Sequence, residues 1–136
     1  MIAFYKDKAK RLIEPTLFSV EAENLAKEIA QSGKDQRGSL KWNKRTQIRK
    51  FYDEVLRLNM LTKSDPSSWA SILPYVNMLV AKAAYAKGRD HVTGEFMDFI
   101  KGSVDQIKAQ DDLDVFSSFF EAFMGFYKIY GEEKRS

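Results

Sequence analysis

Beyond Pro15, apolar residues recur at intervals of three and four, the spacing that lines one face of an α-helix. Val20, Leu25, Ile29 and Ala30 make the first stripe, with Ser19 as the expected cap and Gly33 as the stop. Residues 34–40 are polar and basic and contain Gly38, which predicts a solvent-exposed loop. A second stripe of Ile48, Phe51, Tyr52, Val55, Leu58 and Leu61 predicts a helix from near Asn43. Asp65-Pro66 predicts the next start, with the aspartate as N-cap and proline in the first helical position. Pro74 then predicts an interruption, giving a short helix over 66–73 and another over 74–87 that stops at Gly88. The expected inner face of the latter is Tyr75, Met78, Leu79, Ala83 and Ala86. Thr93 is placed to cap a helix using Phe96, Phe99, Ile100, Val104 and Ile107. The last helix starts at Asp111 or Asp112, uses Phe116, Phe119, Phe120, Phe123, Met124 and Tyr127, and ends at Gly131. No stretch alternates with the period of a strand, so the expected fold is all-α, a compact single-domain bundle of about five helices.

The bundle is expected over residues 16–131, between an N-terminal arm, 1–15, and a short tail, 132–136. The arm begins Met1-Ile2-Ala3-Phe4-Tyr5 and turns basic at Lys6, Lys8, Lys10 and Arg11. Its apolar run is too short for a signal peptide or a membrane span, so a cytoplasmic protein with no membrane role is expected. The arm itself reads as a mobile leader or a short helix that docks on a neighbour. A chain of 136 residues with 44% hydrophobic and 30% charged side chains is long enough for one core and too apolar for a disordered segment.

Candidate chemistry is sparse. The chain contains no cysteine, which excludes disulfides, thiolate zinc sites and cysteine nucleophiles. Its single histidine, His91, lies in the turn Arg89-Asp90-His91 and reads as a solvated loop residue rather than a metal ligand. Asp111, Asp112 and Asp114 lack the spacing and glycine of a calcium loop and suit the positive end of a helix. The glycines are scattered singly, so no phosphate loop is present, and no serine–histidine–acid set stands out. The chain is therefore expected to be non-catalytic, with no cofactor, no metal and no small-molecule substrate.

Charge changes the picture. The net charge is only +3, but from Lys34 to Lys50 seven basic residues face one acid, Asp35, a balance of +6. From His91 to Tyr127 seven acids face Lys101 and Lys108, a balance of −5. Lys41, Arg45 and Arg49 are four apart and on a helix would form a row at about 6 Å steps, close to a phosphate repeat. Trp42 beside it is either a core anchor or a stacking surface for a base. Basic residues at a helix start oppose its dipole, so an anionic partner would offset that repulsion. The aromatic run Phe116, Phe119, Phe120, Phe123, Phe126, Tyr127 and Tyr130 is wider than one helix face needs, and part of it, with Trp69, is left for a contact with another subunit.

Three strings bring a family into view: Thr46-Gln47-Ile48-Arg49-Lys50-Phe51-Tyr52, then Leu73-Pro74 leading to Lys82-Ala83-Ala84-Tyr85-Ala86-Lys87-Gly88-Arg89, then Phe119-Phe120-Glu121-Ala122-Phe123-Met124-Gly125-Phe126-Tyr127-Lys128. In this order and at these separations the chain resembles the small subunit of the type III-A (Csm) CRISPR interference complex, over roughly Phe18 to Tyr130. The resemblance implies a helical, non-catalytic subunit, stacked head to tail in several copies beside the backbone subunits and near the large subunit. Such copies line the channel that holds guide RNA and target RNA in antiviral defence. It also implies RNA contacts at Arg49, Lys50, Arg89 and Lys128, while charge position adds Lys41, Lys44, Arg45, Lys82 and Lys87. Self-association, including a dimer in isolation, is expected from the aromatic surplus. Two other readings stand beside this one: a helical protein–protein adaptor without nucleic-acid binding, and a helix-turn-helix repressor, for which the segment from Gly33 to Asn43 is too long a turn.

Overall fold

The computed structural model describes residues 2–132, in which five α-helices form: α1 (Ala22–Ser32), α2 (Arg45–Ser64), α3 (Trp69–Gly88), α4 (Gly94–Val104) and α5 (Gln110–Tyr130). The all-α expectation therefore holds, and the expected tail beyond Glu132 lies outside the described residues. Helix α5 is the central element, packed against α1 on one side and α2 on the other, while α3 packs chiefly on α4. Phe99 of α4 meets Phe116, Phe119, Phe120 and Phe123 of α5 with ring centroids 5.4–5.9 Å apart, mostly edge to face. The aromatic run of α5 is thus consumed by the core: Phe116, Phe119, Phe120, Phe123 and Tyr127 are fully buried, with Phe126 and Tyr130 half-buried at its edge. The large apolar side chains that remain exposed include Ile129 near the end of α5 and, elsewhere, Met60, Leu61, Tyr75, Met78 and Tyr85.

Several local expectations are corrected. Pro74 does not split a helix, because α3 runs unbroken from Trp69 through it to Gly88. It stands in the second turn, where the missing N–H removes one bond, and the longer apolar stripe behind it outweighs that loss. A separate 3₁₀ turn, Pro66–Ser68, precedes α3, and there Asp65 is the N-cap as expected, accepting from the Ser67 N–H at 3.2 Å. The inner face of α3 is Val76, Leu79, Ala83 and Ala86, so Tyr75 and Met78 point to solvent. Reversal of the chain after α3 falls to Asp90 at φ 60°, not to Gly88. Ser19 caps nothing: it lies inside a π-helical turn, Leu17–Glu21, that feeds directly into α1. Thr93 caps α4 as expected, its hydroxyl accepting from the Phe96 N–H at 3.5 Å.

The leader is not helical. Two short antiparallel strands, β1 (Tyr5–Asp7) and β2 (Leu12–Ile13), form a hairpin with Arg11 at φ 53° in its turn. These strands were missed because three residues and two are too few to show alternation. Phe4 is fully buried and stacks on Phe116 at 5.9 Å. Gln106 holds the strand by its amide, accepting from the Phe4 N–H at 2.9 Å and donating to the Ile2 carbonyl at 2.6 Å. Tyr5 donates to Asp112 at 2.7 Å, and the same carboxylate accepts the N–H groups of Lys108 and Ala109 at the start of α5. The hairpin is thereby part of the cap of the central helix.

Burial drives the Asp112 carboxyl up, but the bonds from Tyr5, Lys108 and Ala109 together hold it below its ordinary value of 3.8. Burial, with the bond to Asp112, pushes the Tyr5 hydroxyl up to about 12. The depressed carboxyl stabilises the fold above the unfolded value, and that contribution is lost as pH falls through the folded one. The raised phenol stabilises the fold below 10.0, and its contribution fades as pH climbs toward about 12. Asp112→Asn is expected to lower unfolding free energy at neutral pH by about 1.5–3 kcal/mol. Its gap from wild type should close below pH 3.8, and that of Tyr5→Phe above pH 10.0, in urea unfolding followed across pH.

Candidate nucleic-acid interface

Helix α2 starts where the chain must leave the loop after α1, and Asn43 makes that turn at φ 58°, a conformation asparagine tolerates better than most residues. It is fully buried, and all of its polar groups are used. The side-chain amide Nδ2 donates to the Ile29 carbonyl at 3.0 Å and Thr93 Oγ1 at 2.8 Å, with Ser32 Oγ 3.2 Å away. Its Oδ1 accepts the Thr93 N–H at 2.9 Å. The Asn43 N–H donates to the His91 carbonyl at 3.0 Å, and the Asn43 carbonyl accepts the Tyr127 hydroxyl at 2.6 Å. One residue thus ties together the end of α1, the start of α2, the α3–α4 turn and the last turns of α5. Gly33 completes the junction, since a Cβ there would collide with the Trp42 carbonyl.

Because these ends converge, so do the cations they carry. Lys41 and Lys44 flank Asn43, Arg45 opens α2, Lys87 and Arg89 close α3, and Lys128 follows Tyr127. All six are exposed, as are Arg49 and Lys50 one turn into α2. The first turn of α2 contains no acid, and Lys44 offers no side-chain cap, so the helix presents positive charge on its positive end. The expected helical row of Lys41, Arg45 and Arg49 does not form, because the Asn43 turn puts Lys41 in the loop. There the Lys41 ammonium lies over the Trp42 ring at 4.8 Å, and Trp42 is half-buried beside Gly33.

Farther along, Lys50 of α2, Lys82 of α3 and Arg89 just past the end of α3 line one groove between the two helices. Their freedom differs. Lys82 pairs with Glu54 at 2.7 Å, and Arg57 pairs with the other oxygen of that carboxylate at 2.6 Å. The Arg57 bond leads in holding Glu54 below the usual carboxylate range, with burial opposing and Lys82 assisting. Arg49 makes only an exposed 3.8 Å pair with Asp53, worth a few tenths of a kcal/mol at most. Arg89 donates to the Tyr85 hydroxyl at 3.1 Å. His91 is half-buried at the same groove rather than fully solvated. Tyr85, Gln47 and Glu54 are site residues that charge counting overlooked; Tyr85 was legible as the position just off the Val76, Leu79, Ala83, Ala86 stripe.

Glu28 of α1 with Glu95, Asp98 and Asp105 of α4 and its following turn line a cleft of about 620 Å³, four acids against the single cation Lys101. Asp112 is used by the hairpin, and Asp114 is held low by a 3.0 Å bond from Asn59, against burial, with Lys63 assisting. All three aspartates at the start of α5 thus have partners inside the chain, Asp111 through an exposed 3.7 Å pair with Arg11.

The fold and site define a small helical protein with one cationic end and one acidic flank. The family model described as Csm2 Type III-A matches residues 16–133, and the chain belongs to that family, the small subunits of the type III-A CRISPR complex. Comparison with curated proteins and with solved structures gives no match. Among the described residues no helix is long and apolar enough to cross a membrane.

Asn43 tests the junction. Asn43→Gly keeps the left-handed turn but leaves the partners of the amide unpaired, and is expected to lower unfolding free energy by about 1–3 kcal/mol. Asn43→Ala adds the strain of a side chain at positive φ, about 1 kcal/mol more, so denaturant midpoints should fall in the order wild type, glycine, alanine.

Proposed function

We propose that this subunit is non-catalytic and holds guide and target RNA by their phosphates, in several copies stacked within the type III-A complex. The observation that supports it is the convergence on the Asn43 junction of segments from the loop, α2, α3 and α5 that carry cations, most of them without a carboxylate partner among the described residues. A polyanion laid across that end neutralises charges that otherwise repel one another and oppose the α2 dipole. Lys50 and Arg89 are the principal contacts, with Arg49 and Lys128 beside them as the family resemblance implies. Lys41, Lys44, Arg45 and Lys87 add to the field, while Lys82 contributes less because Glu54 already holds it.

A handful of phosphate contacts per copy binds weakly, and the contacts multiply when copies share one RNA. A protein with a net charge of only +3 then serves well in an assembly and poorly alone. Sequence is read by pairing between guide and target, so the protein contacts carry none of that specificity. The acidic cleft of α1 and α4 gives each copy a flank of opposite sign for the basic end of its neighbour.

Replacing Lys50 and Arg89 together with alanine is expected to weaken target-RNA binding by the assembled complex, equally for unrelated guides. The slope of log affinity against log salt should shrink by about two for each copy on the RNA. Filter binding at several salt concentrations measures both. Unchanged affinity and slope would refute the phosphate contacts.

A further inference from the structure

The groove between α2 and α3 has a composition that phosphate binding does not explain. Its volume is about 360 Å³, at the small end of ligand-sized pockets. The accessible edges of Phe51 and Ala86 give it a small apolar floor over the fully buried Leu79, next to Tyr85, which is 66% exposed. The Arg89 guanidinium sits over the Tyr85 ring at 5.7 Å and hydrogen-bonds its hydroxyl, so the ring is held at the groove rather than free to swing away. Inside, Glu54 is neutralised by Arg57 and Lys82. Lys50 has no hydrogen-bond or ion-pair partner among the described residues. The groove is therefore partly apolar, and its cations free of a carboxylate among the described residues are Lys50 and Arg89. A phosphate would use those two cations and leave the floor and the tyrosine in water.

We propose that the α2–α3 groove receives one nucleotide unit of the RNA, its base against the exposed Tyr85 ring and the edges of Phe51 and Ala86 and its phosphate on Lys50 and Arg89. The proposal rests on the RNA reading above and adds a base to what was a backbone contact. Stacking on an aromatic ring accepts any base, since every base has a π-face, so the groove confers no sequence preference of its own. It does require the base to be unpaired and turned out, because a paired base offers no free face. A free mononucleotide has the same chemistry, and the backbone on either side is what favours RNA.

The test is an NMR titration of the full chain at low salt with three probes: a short single-stranded RNA, the same ribose-phosphate backbone without bases, and a free nucleoside monophosphate. The base-bearing RNA is expected to bind at least tenfold more tightly than the abasic strand and to shift signals of Leu79, Tyr85 and Ala86. Tyr85→Ala, at an exposed position, should abolish that difference, and Tyr85→Phe should keep it. Equal binding of both strands, with shifts confined to the basic residues, overturns the base site and leaves the RNA reading intact. Binding of neither strand overturns the base site, and the RNA reading then stands or falls on the salt slope of the assembled complex. A mononucleotide that binds as tightly as the RNA overturns the assignment to RNA and makes the groove a site for free nucleotide.

Discussion

The Asn43 side chain sits between segments that are far apart along the chain, reaching Ile29 on one side and Thr93 on the other, while its own carbonyl takes the hydroxyl of Tyr127. Satisfying all of these groups in a buried site leaves one arrangement of four helix ends, since any displacement strands a donor or an acceptor away from water. The cations have no such constraint of their own. They are long, exposed side chains whose common location follows from where the junction puts their backbones. Structure and charge are thus coupled at one place: the polar junction is internal, and the anion-attracting surface is its outer layer.

A second constraint works at the other side of the core, where the hairpin caps α5. Asp112 faces Tyr5 and two backbone N–H groups, and Phe4 fills a space against Phe116. This spends acidic charge on stability, and it leaves the cleft lined by Glu28, Glu95, Asp98 and Asp105 as the acidic surface open to a neighbour. Carboxylates are thus used in two ways, one internal and one external.

Much of the architecture was legible in the residues because three-four spacing reports which face of a helix is buried. Thr93, Asp65 and Gly33 mark ends by local chemistry alone, and all three act as expected. Pro74 misled because a breaker signal is local, whereas the stripe from Val76 to Ala86 that carries the helix past it is longer. The hairpin was hidden because Phe4 finds its partners more than a hundred residues away, at Gln106 and Phe116. Asn43 was hidden for the same reason: nothing nearby in sequence distinguishes a buried polar junction from an ordinary loop asparagine. Charge asymmetry located the basic segment but not its geometry, which the positive φ of Asn43 redirects by moving Lys41 off the helix. Family strings covered the rest, and the Csm2 Type III-A match over residues 16–133 agrees with them.

The central claim is that RNA lies on the basic end and the adjoining α2–α3 groove. Ultraviolet cross-linking of target RNA in the assembled complex, followed by mass spectrometry of the cross-linked peptides, tests it most directly. Cross-links should fall within residues 41–50 and 82–91, around Trp42 and Tyr85, and be absent from the acidic cleft at 95–105. Cross-links concentrated in that cleft or in the hairpin, or none to this subunit while its neighbours are labelled, would contradict the account.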